Sequence, residues 1–285
     1  MNEVDVLLAL CRRLVDPHAE PRTVHAGHNG TVTLRAATTV GEVIVKLHRG
    51  PDRHRQEVHA YRHWAPALQD QAPRLLAASD QPSAIVISAL PGQPLAETQL
   101  TQQCEAEAHR QAGELLRRLH NAAPPDTDKD IPGWLAERGQ RWLALAQALL
   151  PAKRRAEIHA HLRALGTLGP IPAVPCHLDY TPRNLLCVTP SPREQRPRDQ
   201  QRKMGTSDSP RISAIDFEHS RYDLAARDLV RFATRTWHHR PDLQHAFLNG
   251  YGPLSDLDKQ VIEHCSHLDA LTRTVRAAQQ REQRN

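Results

Sequence analysis

Apolar positions in the first ninety residues switch between a spacing of three to four and a spacing of two, and the switches place the elements. Val4, Leu7, Leu10 and Leu14 share one face over residues 4 to 15, which predicts an amphipathic opening helix. The β-branched runs TVTLRAAT at 31 to 38 and EVIVKLH at 42 to 48, joined through Gly41, predict a hairpin. Residues Pro51 to Leu68 have a helical composition, and SAIVISAL at 83 to 90 predicts a buried strand closed by Pro91 and Gly92. Beyond about residue 100 the pattern is mainly helical. Ala108, Ala112, Leu115, Leu116 and Leu119 keep helical spacing within Thr101 to Asn121, and further helices are expected from Pro132 to about Leu150 and from Lys153 to Leu165. AVPCHLDYTPRNLLCV at 173 to 188 differs, with apolar ends flanking a polar middle, and predicts a loop between two short strands. The pattern gives an α+β chain of two lobes, a small β-rich one over 1–90 and a larger, mainly helical one over 91–285.

Composition narrows the class. The mean hydropathy is −0.59 and no apolar run approaches the roughly 18 residues of a membrane span, so a cytoplasmic protein without membrane contact is expected. A net charge of +5, from 37 basic and 32 acidic groups dispersed along the chain, gives no reason to expect a nucleic-acid partner. The five cysteines form no CxxC pair and read as reduced thiols, and the 18 histidines are scattered without zinc-site spacing. Residues 190 to 210 hold five basic and three acidic groups with almost nothing to bury, and read as a disordered, solvated insertion.

The chemistry concentrates in the polar loop. His177, Asp179 and Asn184 stand in the pattern HxDxxxxN, and Asp216 follows in ISAIDFEHS. Phosphoryl transfer needs a carboxylate to take the acceptor proton, here Asp179, and an amide oxygen and a second carboxylate to hold magnesium, here Asn184 and Asp216. Lys46 is the only lysine in the first 128 residues and lies on a predicted strand, and Glu57, eleven residues on, falls within the following helix. Paired, the two would set an ammonium over the α- and β-phosphates. Gly27 and Gly30 bracket His28 and Asn29 in a turn that could close over a triphosphate through backbone amides. The strand end at Ser88, Ala89 and Leu90 offers backbone groups for an adenine edge.

With these residues in hand, the chain resembles the aminoglycoside phosphotransferase and choline kinase family, the small-molecule branch of the protein-kinase-like fold. The resemblance runs from about residue 20 to about 235. It is most specific in HLDYTPRN at 177 to 184 and IDFEHSRYDLAARDL at 215 to 229, with support from ISALPGQPL at 87 to 95 and AGELLRRLH at 112 to 120. It implies a two-lobed kinase-like fold, ATP with Mg2+ as donor, Asp179 as base, and Asn184 and Asp216 on the metal. It also implies a structural role for Asp228 and a loop-stabilising role for His177. The chain departs from the family pattern at Leu178, where many members have glycine, and in the nucleotide turn, which is poor in glycine. Glu218, of the DFE form, reads either as a further metal ligand or as a surface carboxylate.

The acceptor is less legible. Residues 101 to 165 and 230 to 280 should bind it, and an aminoglycoside would favour an acidic pocket, yet residues 216 to 270 hold only nine acids against six bases. Asp223, Asp242, Asp256 and Asp258 are the candidate contacts, and Trp134, Trp142, Trp237, Phe247 and Tyr251 are those for a choline-type aromatic cage. The leading expectation is phosphorylation of a small-molecule hydroxyl, on an aminoglycoside or another antibiotic or secondary metabolite, by a monomer or homodimer. Choline- or ethanolamine-type substrates, Ser or Thr of a peptide during natural-product maturation, and a silent kinase-like scaffold are the alternatives. All the residues a scaffold would usually have lost are present.

Overall fold

The opening helix forms where its apolar face predicts. α1 (Glu3–Leu14) buries Leu7, Leu10 and Cys11. The computed structural model describes residues 3–26, 32–189 and 209–282. α1 packs on β1 (Glu20–Ala26), β2 (Val32–Thr38) and β3 (Gly41–Leu47), which pair antiparallel, with Gly41 at φ 108° as the first residue of β3 after the turn. After α2 (Pro51–His63), β4 (Leu75–Asp80) and β5 (Ser83–Ser88) complete a five-stranded sheet in the order β1-β2-β3-β5-β4. The two faces of β3 have different neighbours, as a period of two dictates. Val43 and Val45 join Leu7, Cys11, Leu34 and Val86 under α1, whereas Ile44 packs in the core that holds Val58 and Tyr61 of α2. Lys46 alternates with Val45 and so shares the face of Ile44, towards α2.

Two local departures have simple causes. The helix expected to reach Leu68 ends at His63, because Pro66 has no N–H to continue the ladder, and the chain passes into a 3-10 turn over Ala65–Gln71. β4 has no counterpart in the sequence reading, since LLAASD carries too few β-branched side chains to stand out.

The second lobe is mainly helical. It runs through β6 (Gln93–Pro94), α3 (Gln102–His120), α4 (Ile131–Leu145), α5 (Ala152–Gly166), β7 (Val174–Cys176), β8 (Leu185–Val188), β9 (Arg211–Ala214), β10 (Arg221–Asp223), the one-turn α6 (Val230–Phe232), α7 (Pro241–Tyr251) and α8 (Asp256–Glu282). Thr101 caps α3 and Asp130 caps α4 by accepting from the amides of Cys104 and Gly133. α3 and α7 cross closely, because a side chain on Gly113 would meet the Phe247 carbonyl and one on Gly250 the Arg110 carbonyl. β7 pairs with β10, and β8 lies between β6 and β9, so the loop of residues 177 to 184 is anchored at both ends. No described helix is long and apolar enough to cross a membrane. All five cysteines are free, four of them buried. Of the expected insertion only Ser209 and Pro210 lie among the described residues.

Candidate active site

Lys46 and Glu57 meet. The β3 side chain reaches Glu57 Oε2 at 3.0 Å, and the same ammonium lies 2.5 Å from Asp216 Oδ1 and 2.9 Å from Glu218 Oε2. The 216–218 segment, 170 residues beyond Lys46, therefore joins the nearby Glu57 on one cation. Burial, with Lys46 only 8% exposed, disfavours its charge, yet Glu57, Asp216 and Glu218 outweigh that and hold its pKa well above the usual lysine range. Burial likewise opposes ionisation of Glu57, but Lys46 and a 2.6 Å hydrogen bond from His48 keep its carboxyl below the ordinary value. Glu218 is held low mainly by its hydrogen bond to His219 and then by Lys46.

The 177–184 loop is fixed by a buried carboxylate. Asp228 accepts from the His177 amide at 2.8 Å, from the Leu178 amide at 2.5 Å and from His120 Nε2 at 3.1 Å. The His177 ring is wholly buried, which depresses its pKa, so it is neutral. Its Nε2 donates to the Ile215 carbonyl at 2.9 Å and its Nδ1 accepts from the Asp179 amide at 3.3 Å, which fixes the tautomer. Tyr180 donates to the Ala112 carbonyl at 2.8 Å, tying the loop to α3. Asn184 Nδ2 donates to both the carbonyl and Oδ2 of Asp179, each at 2.9 Å, and the Ile215 amide donates to the Asn184 carbonyl at 3.0 Å. Asp179 Oδ1 is paired with Arg231, which also approaches Asp269 at 3.7 Å.

Two non-glycine residues of the site adopt left-handed backbone, Leu178 at φ 60° and Asp216 at φ 66°. This is the conformation that favours glycine.

The donor set suits a hard divalent cation. Asn184 commits its amide nitrogen to Asp179 and leaves its oxygen as an acceptor, while three carboxylates surround the single ammonium of Lys46, with Glu57 Oε1 buried and unpartnered. The donors of Asn184, Asp216 and Glu218 are all oxygens.

Other expected positions fall differently. Ser88 is not free: its amide donates to the Arg74 carbonyl and its Oγ accepts from the Arg74 amide, both at 2.9 Å, while the Ala89 amide donates to Glu42. The Leu90 amide has no backbone partner among the described residues. Gly27, His28, Asn29 and Gly30 lie outside the described residues. Asp223 is buried against Arg221 and Arg227, Asp242 pairs with Arg240, Asp256 with Lys259, and Asp258 accepts from Ser255. The aromatic candidates do not form a cage either. Trp237, Phe247 and Tyr251 lie in the core, and Trp134 and Trp142 already have arginine guanidinium groups over their rings. His48, His120 and Arg231 were not foreseen, because their partners lie 9, 108 and 52 positions away and no local spacing links them.

A β-rich lobe that presents a lysine–glutamate pair to a loop of this geometry defines a kinase-like phosphotransferase. The model of the phosphotransferase enzyme family matches residues 20–193, more than half of the chain. The chain belongs to that family and is an enzyme of the small-molecule kinase class. No curated protein sequence matches it. Among solved structures it is similar to the macrolide 2'-phosphotransferase MphH from Brachybacterium faecium, with 16% identity, a TM-score of 0.62, and 97% of this chain and 93% of that one covered. It is similar to the choline kinase LicA from Streptococcus pneumoniae at 16% identity and a TM-score of 0.64, covering 97% and 91%, an enzyme also solved with AMP. It is similar to the aminoglycoside phosphotransferase APH(3'')-Id from Streptomyces rimosus at 19% identity and a TM-score of 0.57, covering 95% and 99%. The fold is thus common to proteins named for three unlike acceptors.

Proposed function

We propose that the protein transfers the γ-phosphoryl group of ATP to a hydroxyl of a small molecule, an antibiotic or other secondary metabolite, in resistance or self-protection. The single observation that carries this reading is the convergence of Lys46, Glu57 and Asp216 beside a loop in which Asn184 orients Asp179. In it, residues 1–90 bind the nucleotide and residues 91–285 supply the catalytic groups and the acceptor site.

Lys46, steadied by Glu57, holds the α- and β-phosphates. Asn184 and Asp216, with Glu218 beside them, would hold Mg2+, which when bound neutralises charge on the phosphates. Asp179 orients the acceptor hydroxyl and takes its proton as the bond from the γ-phosphorus to the acceptor oxygen forms and the bond to the β-phosphate oxygen breaks, with the nucleoside diphosphate leaving. The amide of Asn184 fixes the Asp179 carboxylate for that contact. The AMP complex of the choline kinase neighbour supports an adenine nucleotide.

Incubation with ATP, Mg2+ and a mixed panel of hydroxylated metabolites, read by mass spectrometry, should give one acceptor that gains a phosphate with wild type and none with Asp179→Asn. An equal gain with Asp179→Asn would remove Asp179 from the proposed role.

A further inference from the structure

A cavity of about 290 Å3 opens beside the loop, lined by Leu178 and Tyr180, the two neighbours of Asp179. It contains none of Lys46, Asn184, Asp216 or β5, and so is separate from the groups assigned to the nucleotide. Its chemistry is cationic, with seven arginines and only three aspartates in its wall. Those aspartates have other commitments. Asp228 holds the loop amides, Asp52 pairs outside with Arg55, and Asp269 is shared among Arg231, Arg235 and Arg273.

Arg53 from α2, Arg138 from α4 and Arg276 from α8 have no carboxylate within ion-pair distance among the described residues. Arg138 lies 5.4 Å from the centroid of Trp134 and Arg276 lies 5.8 Å from that of Trp142, so two of the three are oriented by aromatic faces instead of acids. Burial works against the charges of Arg53 and Arg138: for Arg53 the more distant Glu218 offsets part of it while Arg276 and Arg221 add to it, and Arg138 feels Arg221, Arg227 and Arg276. Arg53 donates to His219 Nδ1 and to the Glu218 carbonyl, neither of which neutralises it. Cations without a carboxylate partner, drawn from three helices into one cavity, are costly unless a ligand neutralises them.

Resting on the kinase reading above, we propose that this cavity binds an oxyanion of the acceptor, so that the substrate is a hydroxyl compound that also carries a phosphate or a carboxylate. Guanidinium forks match both groups, and a polycationic aminoglycoside or a quaternary ammonium would meet like charge there. Arg231 links binding to chemistry. It lines the cavity and also pairs with Asp179, so an incoming oxyanion competes for Arg231 and frees the Asp179 carboxylate for the hydroxyl proton.

The test uses the full chain saturated with Mg2+ and AMP-PNP, so that the nucleotide site is filled, and titrates ribose 5-phosphate, gluconate, ribose and kanamycin by calorimetry. Ribose 5-phosphate or gluconate should bind while ribose and kanamycin do not, and whichever of the two binds tighter distinguishes phosphate from carboxylate. Arg138→Met and Arg276→Met should each weaken that binding roughly tenfold to a hundredfold. The wild-type preference needs no variant and stands even if one fails to fold. AMP-PNP binding without oxyanion binding, a preference for kanamycin, or arginine variants that bind the anions as wild type does would overturn the inference alone. Failure of AMP-PNP to bind would overturn the kinase reading beneath it.

Discussion

Leu178 shows how the site holds an unfavourable backbone in place. Its φ of 60° places a Cβ where glycine would be easier, and the 2.5 Å bond from its amide to Asp228 is what keeps the turn. Leu178→Gly and Leu178→Ala both remove the side chain, but only glycine relieves the left-handed strain. The glycine variant should therefore be more stable than the alanine variant by about 1 kcal/mol in chemical unfolding. Equal stabilities would mean that the surrounding bonds, not strain, set the energy of this turn. At this scale much was readable. Asp179 and Asn184 were marked by their spacing, and Lys46 by its isolation among arginines. Arg231 was not, because its contact with Asp179 spans 52 positions and depends on how α6 packs over the loop. The pairing of the Ser88 amide and hydroxyl with Arg74 was not legible either, since Arg74 lies just before β4, a strand with no clear pattern.

Among the elements, α3 joins the 177–184 loop to the helical core, through Tyr180 and through His109, which packs against Phe232. Burial lowers the His109 pKa from 6.5 to about 4, so the folded protein keeps it neutral where the unfolded chain binds a proton. The sign follows directly. Its contribution is fully present above pH 6.5 and is lost progressively as pH falls towards 4, where the folded form also protonates. Between pH 7 and pH 5 this one group should remove about 2 kcal/mol of stability. Urea unfolding at the two pH values should show a smaller loss for His109→Leu than for wild type, and an equal loss would show that other groups carry the pH dependence. Helical spacing made α1 and α3 readable within a residue or two, and β-branched runs did the same for β2, β3 and β5. The end of α2 was not, because Pro66 acts only once the helix is already under way.

At the scale of the molecule, one ammonium ties the lobes together. Lys46 comes from the sheet, Glu57 from α2, and Asp216 and Glu218 from the segment after β9 in the helical lobe. The two-lobed architecture was legible because strand-like runs give way to helical ones near residue 100. The charge of the acceptor cavity was not, because its arginines without a carboxylate partner come from α2, α4 and α8 and are interleaved in sequence with acids that pair elsewhere. The central claim is that this assembly performs Mg2+-dependent phosphoryl transfer with Asp179 as base, and its most direct test does not require the acceptor, since water is itself a slow one. Phosphorus NMR of ATP with the protein should show Mg2+-dependent loss of the γ-phosphate signal with wild type, strongly slowed in Asp179→Asn and absent in Lys46→Met. The same rate of loss in all three proteins, or loss that does not depend on Mg2+, would contradict the account.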